Sequence, residues 1–158
     1  MEDIAKLKSK AASRKKEFKK KKNQLEKVKD SKLDRLFQEK HEEAFEHIDC
    51  LECANCCKTA GPRIREIDVE RIASHLRINP SQVHEKYLKI DEDGDLVMNT
   101  LPCPFLGADN YCSIYEARPK ACREYPHTDR KKQKQLLNLH VKNTEYCPAV
   151  FRIFESIN

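Results

Sequence analysis

The apolar positions of this chain follow helical spacing over most of its length. Between residues 3 and 29 they recur loosely every three or four residues, which predicts a helix with a narrow apolar face. A second helix is predicted to start at Ser31, which stands three residues before Asp34 in a capping pattern, and to run up to Cys50. Because the second helix has a broader apolar face, we expect it to pack on the body of the protein and the first helix to project into solvent.

Start and turn signals organise the middle of the chain. Asp68 is predicted to cap a helix whose apolar residues lie on one face, and Asn79 followed by Pro80 predicts the start of another helix. In "KIDEDGDLVMN", the pair Asp93-Gly94 predicts the turn of a short β-hairpin.

The last third of the chain is predicted to be a series of short elements. These are a tight loop at 107–110, helical turns bounded by Pro119 and Pro126, a helix at 129–139 and a last helix at Pro148–Ile157. The predicted fold class is therefore mostly α with a small β-hairpin. A compact, cysteine-rich, metal-stabilised domain is expected to follow a long N-terminal helix or helical hairpin.

Charge is unevenly distributed along the 158 residues. Residues 1–40 hold fifteen Lys and Arg against seven Asp and Glu, a net charge of +8, whereas residues 41–158 have a net charge of −3. We therefore predict two parts, a Lys-rich helical extension at 1–40 and a cysteine-cluster domain at 41–158 that carries every cysteine.

Glycine content and hydropathy exclude several classes of protein. The chain has three glycines, Gly61, Gly94 and Gly107, and no two are close enough to form a phosphate-binding loop or a dinucleotide fingerprint. This argues against a self-contained kinase, NTPase or Rossmann enzyme. Because no apolar run resembles a signal-peptide core or a transmembrane helix, we expect a cytoplasmic protein.

The cysteine pattern is the strongest chemical signal in the sequence. Four of the eight cysteines form the knot "CLECANCC", and two-residue gaps of this kind let two sulfurs reach one metal ion. Disulfides are less favoured in a reducing compartment, and a thioredoxin-like pair lacks its βαβ context. We therefore predict eight metal ligands, Cys50, Cys53, Cys56, Cys57, Cys103, Cys112, Cys122 and Cys147.

The number and identity of the metal sites are open at this stage. Eight sulfurs suffice for two four-ligand sites or for one cluster with spare thiols. Tetrahedral zinc and iron–sulfur clusters, including [4Fe–4S], both accept such ligands. Because the side chains of Cys56 and Cys57 diverge, they are expected to serve different sites or opposite sides of a bimetallic site.

Four segments together resemble the YkgJ or CxxCxxCC family of zinc- or iron-chelating domains. They are "CLECANCC", "IDVERIASHLRINPSQVHEKYL", "CPFLGADNYCSIYEARPKACREYPH" and "CPA" at 147–149. The resemblance implies a cytoplasmic cysteine-cluster protein and kinship with a flagellin lysine methylase that carries similar cysteines. One departure is Ala54, which stands where the family usually has glycine after the second cysteine.

Three functions are compatible with this sequence. The first is a non-enzymatic protein in which zinc or iron stabilises the fold. The second is an iron–sulfur enzyme or electron-transfer protein, by analogy with the methylase. The third is a nucleic-acid-associated zinc module.

Two sets of basic residues have predicted roles. Arg118 and Arg123 flank Cys122 and are predicted to donate hydrogen bonds to ligand sulfurs, offsetting the negative charge of the thiolates. The stretch at 14–22, "RKKEFKKKK", is expected either to be a solvated helix or to contact a nucleic acid, a lipid or another anionic partner.

Overall fold

The computed structural model describes residues 4–158 and is mostly α-helical. Within these residues ten α-helices follow one another: α1 (Ile4–Ser13), α2 (Lys15–Leu25), α3 (Asp30–Phe45), α4 (Cys50–Cys53), α5 (Asn55–Thr59), α6 (Glu66–Leu76), α7 (Pro80–Tyr87), α8 (Lys120–Glu124), α9 (Leu137–Asn143) and α10 (Pro148–Ser156). Strands β1 (Leu88–Ile90) and β2 (Leu96–Met98) form one antiparallel hairpin. Short 3₁₀ helices lie at Tyr115–Ala117 and Gln133–Leu136. The predicted fold class, mostly α with a small β-hairpin, is confirmed.

The chain divides into two compact units. The first unit comprises the described residues up to Cys53 together with Pro126–Asn158, and the second unit is Ala54–Tyr125. The division into an extension at 1–40 and a domain at 41–158 stays a prediction about which parts fold independently. Residue 3, where the first helix is predicted to begin, lies outside the described residues.

Phenylalanines form the core of the first unit. Phe18 of α2 is fully buried and contacts Phe151 and Phe154 of α10 edge-on, with ring centroids 5.5 and 5.7 Å apart. Phe37 of α3 contacts Phe154 in the same way. The expectation that the first helix projects into solvent is therefore wrong, because its narrow apolar face is buried and carries Phe18, which packs against large aromatic side chains.

The core of the second unit is aliphatic. It joins α6 and α7 to the hairpin and to the loops that follow, and its members include Ile72, Val83, Met98, Phe105 and Ile114. The hairpin pairs Leu88 with Met98 and turns through Gly94, whose φ is 81°, as predicted.

Several helix boundaries differ from the predictions. The first predicted helix is interrupted at Arg14, and α3 ends at Phe45 rather than continuing to Cys50. Helix α6 begins at Glu66, so Asp68 lies inside the first turn and is not the cap. The start of α7 after Asn79 is as predicted.

The predicted helix at 129–139 is displaced towards the C-terminus. Lys132 has a left-handed backbone conformation, with φ 64°, which interrupts helical geometry there. The carboxylate of Asp34 accepts hydrogen bonds from the backbone N–H groups of Lys132 and Gln133. The chain then enters a 3₁₀ helix and α9, while α10 occupies the predicted position.

Candidate metal centre

The eight cysteines are thiols and are distributed over both units. In the first unit, Cys50 and Cys53 lie at the two ends of α4, and Cys147 directly precedes α10. In the second unit, the five cysteines are Cys56 and Cys57 on α5, Cys103 and Cys112 in the loops after the hairpin, and Cys122 on α8.

Cys147 is the most buried cysteine of the first unit. Burial raises the pKa of its thiol to about 12, and negative charge on Cys50 and Cys53 acts in the same direction. The backbone N–H groups of Ala149 and Val150 oppose this increase because they favour the thiolate. The three sulfurs of the first unit therefore lie close enough to interact electrostatically.

Four cysteines of the second unit interact in the same way. Burial raises the pKa of Cys122 to about 12, and negative charge on Cys57, Cys103 and Cys112 raises it further. Burial also raises the pKa of Cys103 and of Cys112, and each of these is raised further by Cys57. Such a group of thiols resists losing its protons unless a cation offsets the charge.

Short backbone contacts bring three of these residues, Cys57, Cys103 and Cys112, together. The N–H of Cys103 donates to the carbonyl oxygen of Cys57 at 2.7 Å, which joins the loop to α5. Leu106 and Cys112 form an isolated antiparallel bridge, and the Ser113 N–H donates to the Phe105 carbonyl at 2.8 Å. The loop between Cys103 and Cys112 is thus a small closed turn at the predicted position.

Three of the single cysteines share one local arrangement. The sulfurs of Cys103 and Cys147 each interact with the N–H groups two and three residues later, and that of Cys112 with the N–H two residues later. Proline follows directly after Cys103 and Cys147. N–H groups aimed at sulfur lower the free energy of a thiolate relative to a thiol, which suits a metal ligand.

Cys56 and Cys57 are in contact through their side chains. Their sulfurs are 4.0 Å apart, and the hydrogen bond between them lowers the pKa of Cys57 to about 7 against the effect of burial. The positive charge of Lys58 also lowers it. Cys57 therefore ionises more readily than Cys103, Cys112 or Cys122, whose pKa values are all raised.

The two arginines predicted to assist the sulfurs have different surroundings. Arg118 lies over the Tyr115 ring, 3.6 Å from its centroid, and its Nε donates to the Tyr115 carbonyl at 2.8 Å. Its charge lowers the pKa of both Cys112 and Cys122, opposing the effect of burial. Arg123 is exposed on α8. The predicted role of both arginines at the metal stays a prediction.

Asp68 was predicted to cap α6, but its side chain instead joins α6 to α8. Its buried carboxylate accepts hydrogen bonds from the Arg65 N–H at 2.9 Å, from Arg71 at 2.8 Å and from the Lys120 N–H at 3.1 Å. Burial raises its pKa, but these hydrogen bonds outweigh burial and lower it to about 2. Because Lys120 begins α8, Asp68 ties α6 to the helix that carries Cys122. The only sequence signal is an acidic residue in the first turn of α6.

The donor set fits a soft metal, although the side chains do not converge on one point. Among residues 4–158, no three His, Cys, Asp or Glu side chains approach closely enough to hold one ion in this conformation. The four thiols are nevertheless suited to zinc or iron and unsuited to magnesium or calcium, which prefer oxygen. Backbone N–H groups favour the thiolate at two of them, Cys103 and Cys112.

The comparison with protein families identifies the domain. A family model, CxxCxxCC, described as "Putative zinc- or iron-chelating domain", matches residues 49–148. The chain belongs to the CxxCxxCC family. The matched region contains all eight cysteines and confirms the resemblance predicted from the four motifs. No curated protein and no solved structure matches the chain.

Metal chelation is accordingly the function supported by membership of the CxxCxxCC family. In the part of the chain that the structure describes, no helix has both the length and the apolar character needed to cross a membrane.

Proposed function

We propose that this protein binds zinc or iron as a structural component of its fold, and that Cys57, Cys103, Cys112 and Cys122 form a four-sulfur site. The observation that carries the proposal is the backbone geometry around Cys57, Cys103 and Cys112: the Cys103 N–H donates to the Cys57 carbonyl at 2.7 Å, and Cys112 forms a bridge with Leu106. Negative charge on these three cysteines raises the pKa of Cys122, which supports its inclusion as the fourth ligand. The N–H groups behind Cys103 and Cys112 support the same assignment.

The site would supply folding free energy to the second unit. A bound divalent ion replaces the thiol protons, and its binding energy becomes available to the fold because the ligands come from separate segments. The sulfurs must move towards one another by side-chain rotation, because zinc–sulfur distances are about 2.3 Å. Four thiolates around a divalent ion leave two negative charges, and the charge of Arg118 partly offsets them.

Cys50, Cys53 and Cys147 supply sulfur ligands to a second metal in this proposal. Their thiols interact electrostatically, and Cys50 is exposed. An exposed ligand favours the second candidate function, an iron–sulfur centre with electron-transfer or enzymatic activity, because a cluster near the surface can exchange electrons with a partner. Identification of the bound metal distinguishes the two candidate functions.

The decisive measurement is metal analysis with a visible absorption spectrum, on protein purified without oxygen. Colourless protein with stoichiometric zinc, which unfolds when a chelator removes the metal, supports the structural function. Brown protein with iron and acid-labile sulfide supports the iron–sulfur function instead. Protein that folds without metal and contains oxidised cysteines contradicts both.

Serine substitutions test the two groups separately. Cys122→Ser is expected to reduce the metal bound by the four-sulfur site, and Cys147→Ser to reduce the metal bound in the first unit. Ser113→Ala, next to Cys112, is the matched control and should retain the full metal content, because its side chain is exposed. Equal loss in Cys122→Ser and Ser113→Ala would contradict the assignment.

A further inference from the structure

The basic residues at 14–22 do not all serve the same purpose. Lys21 donates from Nζ to the backbone carbonyl oxygens of Phe154 and Glu155, at 2.8 and 3.3 Å, and so caps the end of α10. Arg14 pairs with Glu17 and Glu155. Both side chains therefore connect this stretch to α10. For the other lysines of the stretch, the described residues show no such contact with α10.

Three further lysines line one side of a cleft in the first unit. Lys15, Lys19 and Lys22 are spaced four and three residues apart, so they share a face of α2, and Lys142 of α9 stands among the other residues that line the cleft. The cleft has a volume of about 450 Å³. This lies within the range of small-molecule sites, roughly 300–1,000 Å³.

Most of this positive charge is uncompensated. Among residues 4–158, Lys15, Lys19 and Lys142 form no ion pair, whereas Lys22 pairs with Glu26 at 2.9 Å. Among the described residues that line the cleft, Glu145 is the single acidic one. Like charges held together at a concave surface repel one another, and a bound anion relieves that repulsion.

The other lining groups indicate what kind of anion fits. Asn23 and Asn138 add amide groups, and Asn138 already accepts a hydrogen bond from Lys22 at 3.2 Å. The aromatic side chain in the lining, Phe18, is fully buried in the core. It offers no exposed face on which a nucleic-acid base could stack, so recognition must rely on charge.

We infer that this cleft binds a small anion carrying several linked phosphates. The Cα atoms of Lys15 and Lys22 are separated by about 10 Å along the helix, a span that three linked phosphates match better than one. Lysine binds phosphate as a mobile point charge and needs no fixed hydrogen-bonding fork. A single-stranded RNA is the rival occupant, but it would use an extended basic surface and exposed aromatic side chains.

The inference is tested by calorimetric titration of the metal-loaded full chain with inorganic tripolyphosphate. The double variant Lys15→Gln/Lys19→Gln removes two cleft lysines and is expected to bind about tenfold more weakly. The matched control Lys16→Gln/Lys20→Gln makes the same change in net charge on the same helix, at exposed positions outside the cleft. It should bind within about twofold of the unmodified protein, since these exposed side chains do not line the cleft and solvent ions screen their charge.

Three outcomes would overturn the inference. Equally weakened binding of tripolyphosphate in both double variants would mean that the anion is attracted by the overall charge of the helix and has no specific site. A uridine 20-mer that binds more tightly than tripolyphosphate would indicate an RNA surface. Loss of metal during the titration, with no difference between the variants, would mean that the heat comes from chelation. Inorganic phosphate alone is expected to bind much more weakly. The inference does not depend on which metal the cysteines hold.

Discussion

Ala54 has a backbone conformation that non-glycine residues rarely adopt. It is buried, lies directly after Cys53 and has φ 44°, in the left-handed region, just before α5 begins. In this conformation the β-carbon of an L-residue is crowded by its own backbone. Glycine, which the resemblance to the family leads us to expect at this position, would adopt this conformation without the crowding.

The variant Ala54→Gly should therefore be more stable. Relief of strain is partly offset by the greater freedom of glycine in the unfolded chain, so we expect a gain of about 1 kcal/mol in the free energy of unfolding. Ala12→Gly is the control. This exposed residue lies in α1, where glycine should cost about 1 kcal/mol. Both variants are measured by denaturant titration. If both changed the free energy of unfolding in the same direction, the backbone at Ala54 would not be strained.

His140 makes stability depend on pH in the mildly acidic range. It is fully buried, and burial, with a smaller contribution from the charge of His127, lowers its pKa to about 3. The amide of Gln133 donates to the carbonyl oxygens of His127 and Arg130. Its oxygen therefore accepts from His140 Nε2, at 2.6 Å, which fixes the neutral ring in one tautomer.

Unfolding is expected to become easier as the pH falls below about 6.5, because the unfolded chain then binds a proton that the folded chain rejects. The loss is about 2 kcal/mol between pH 7 and pH 5. Protonation of thiolates also makes the free energy of unfolding depend on pH. The contribution of His140 is therefore measured as the difference in this pH dependence between the unmodified protein and His140→Gln. The control His75→Gln, at an exposed position, should show the same pH dependence of the free energy of unfolding as the unmodified protein. An unchanged slope in His140→Gln would show that the ring titrates normally.

At the scale of elements, α6 and α8 are joined through the carboxylate of Asp68. Removing its charge in Asp68→Asn weakens hydrogen bonds from Arg65, Arg71 and the Lys120 N–H. We expect a loss of about 3 kcal/mol, measured by denaturation, together with weaker metal retention, because α8 carries Cys122. Since the folded pKa is depressed, this stabilisation is present above about pH 4 and disappears as the pH falls towards 2.

Asp93→Asn is the matched control for this variant. Asp93 is exposed in the hairpin turn, so the same chemical change should alter stability by less than about 0.5 kcal/mol. Normal metal retention in Asp68→Asn, with only lowered stability, would mean that Asp68 supports the fold without positioning Cys122.

Elements with strong local signals were predictable, and those set by distant contacts were not. Asn79-Pro80 and Cys147-Pro148 fix helix starts through local geometry, and both α7 and α10 begin as expected. The helix expected at 129 fails because Asp34, far away in sequence, satisfies backbone donors at Lys132 and Gln133. The cysteines were visible as a motif, but their division between two units depends on tertiary structure.

At the scale of the whole molecule, the two units have different sources of stability. The core of the first unit contains Phe18, Phe37, Phe151 and Phe154, all essentially inaccessible to solvent. The core of the second unit is built mainly from aliphatic side chains, with Phe105 as its buried aromatic residue. Large aromatic side chains contribute most to burial energy, so the second unit should rely more on metal.

Removal of the metal should therefore affect the two units unequally. Hydrogen exchange followed by mass spectrometry, before and after chelation under reducing conditions, is expected to show the larger loss of protection in residues 54–125. Peptides from α2, α3 and α10 should retain more protection, because exchange there requires opening of the phenylalanine core. Cys122→Ser should reproduce the pattern without chelator. Uniform loss of protection across both units would show that a single cooperative structure depends on the metal, and unchanged protection would show that the metal contributes no folding energy.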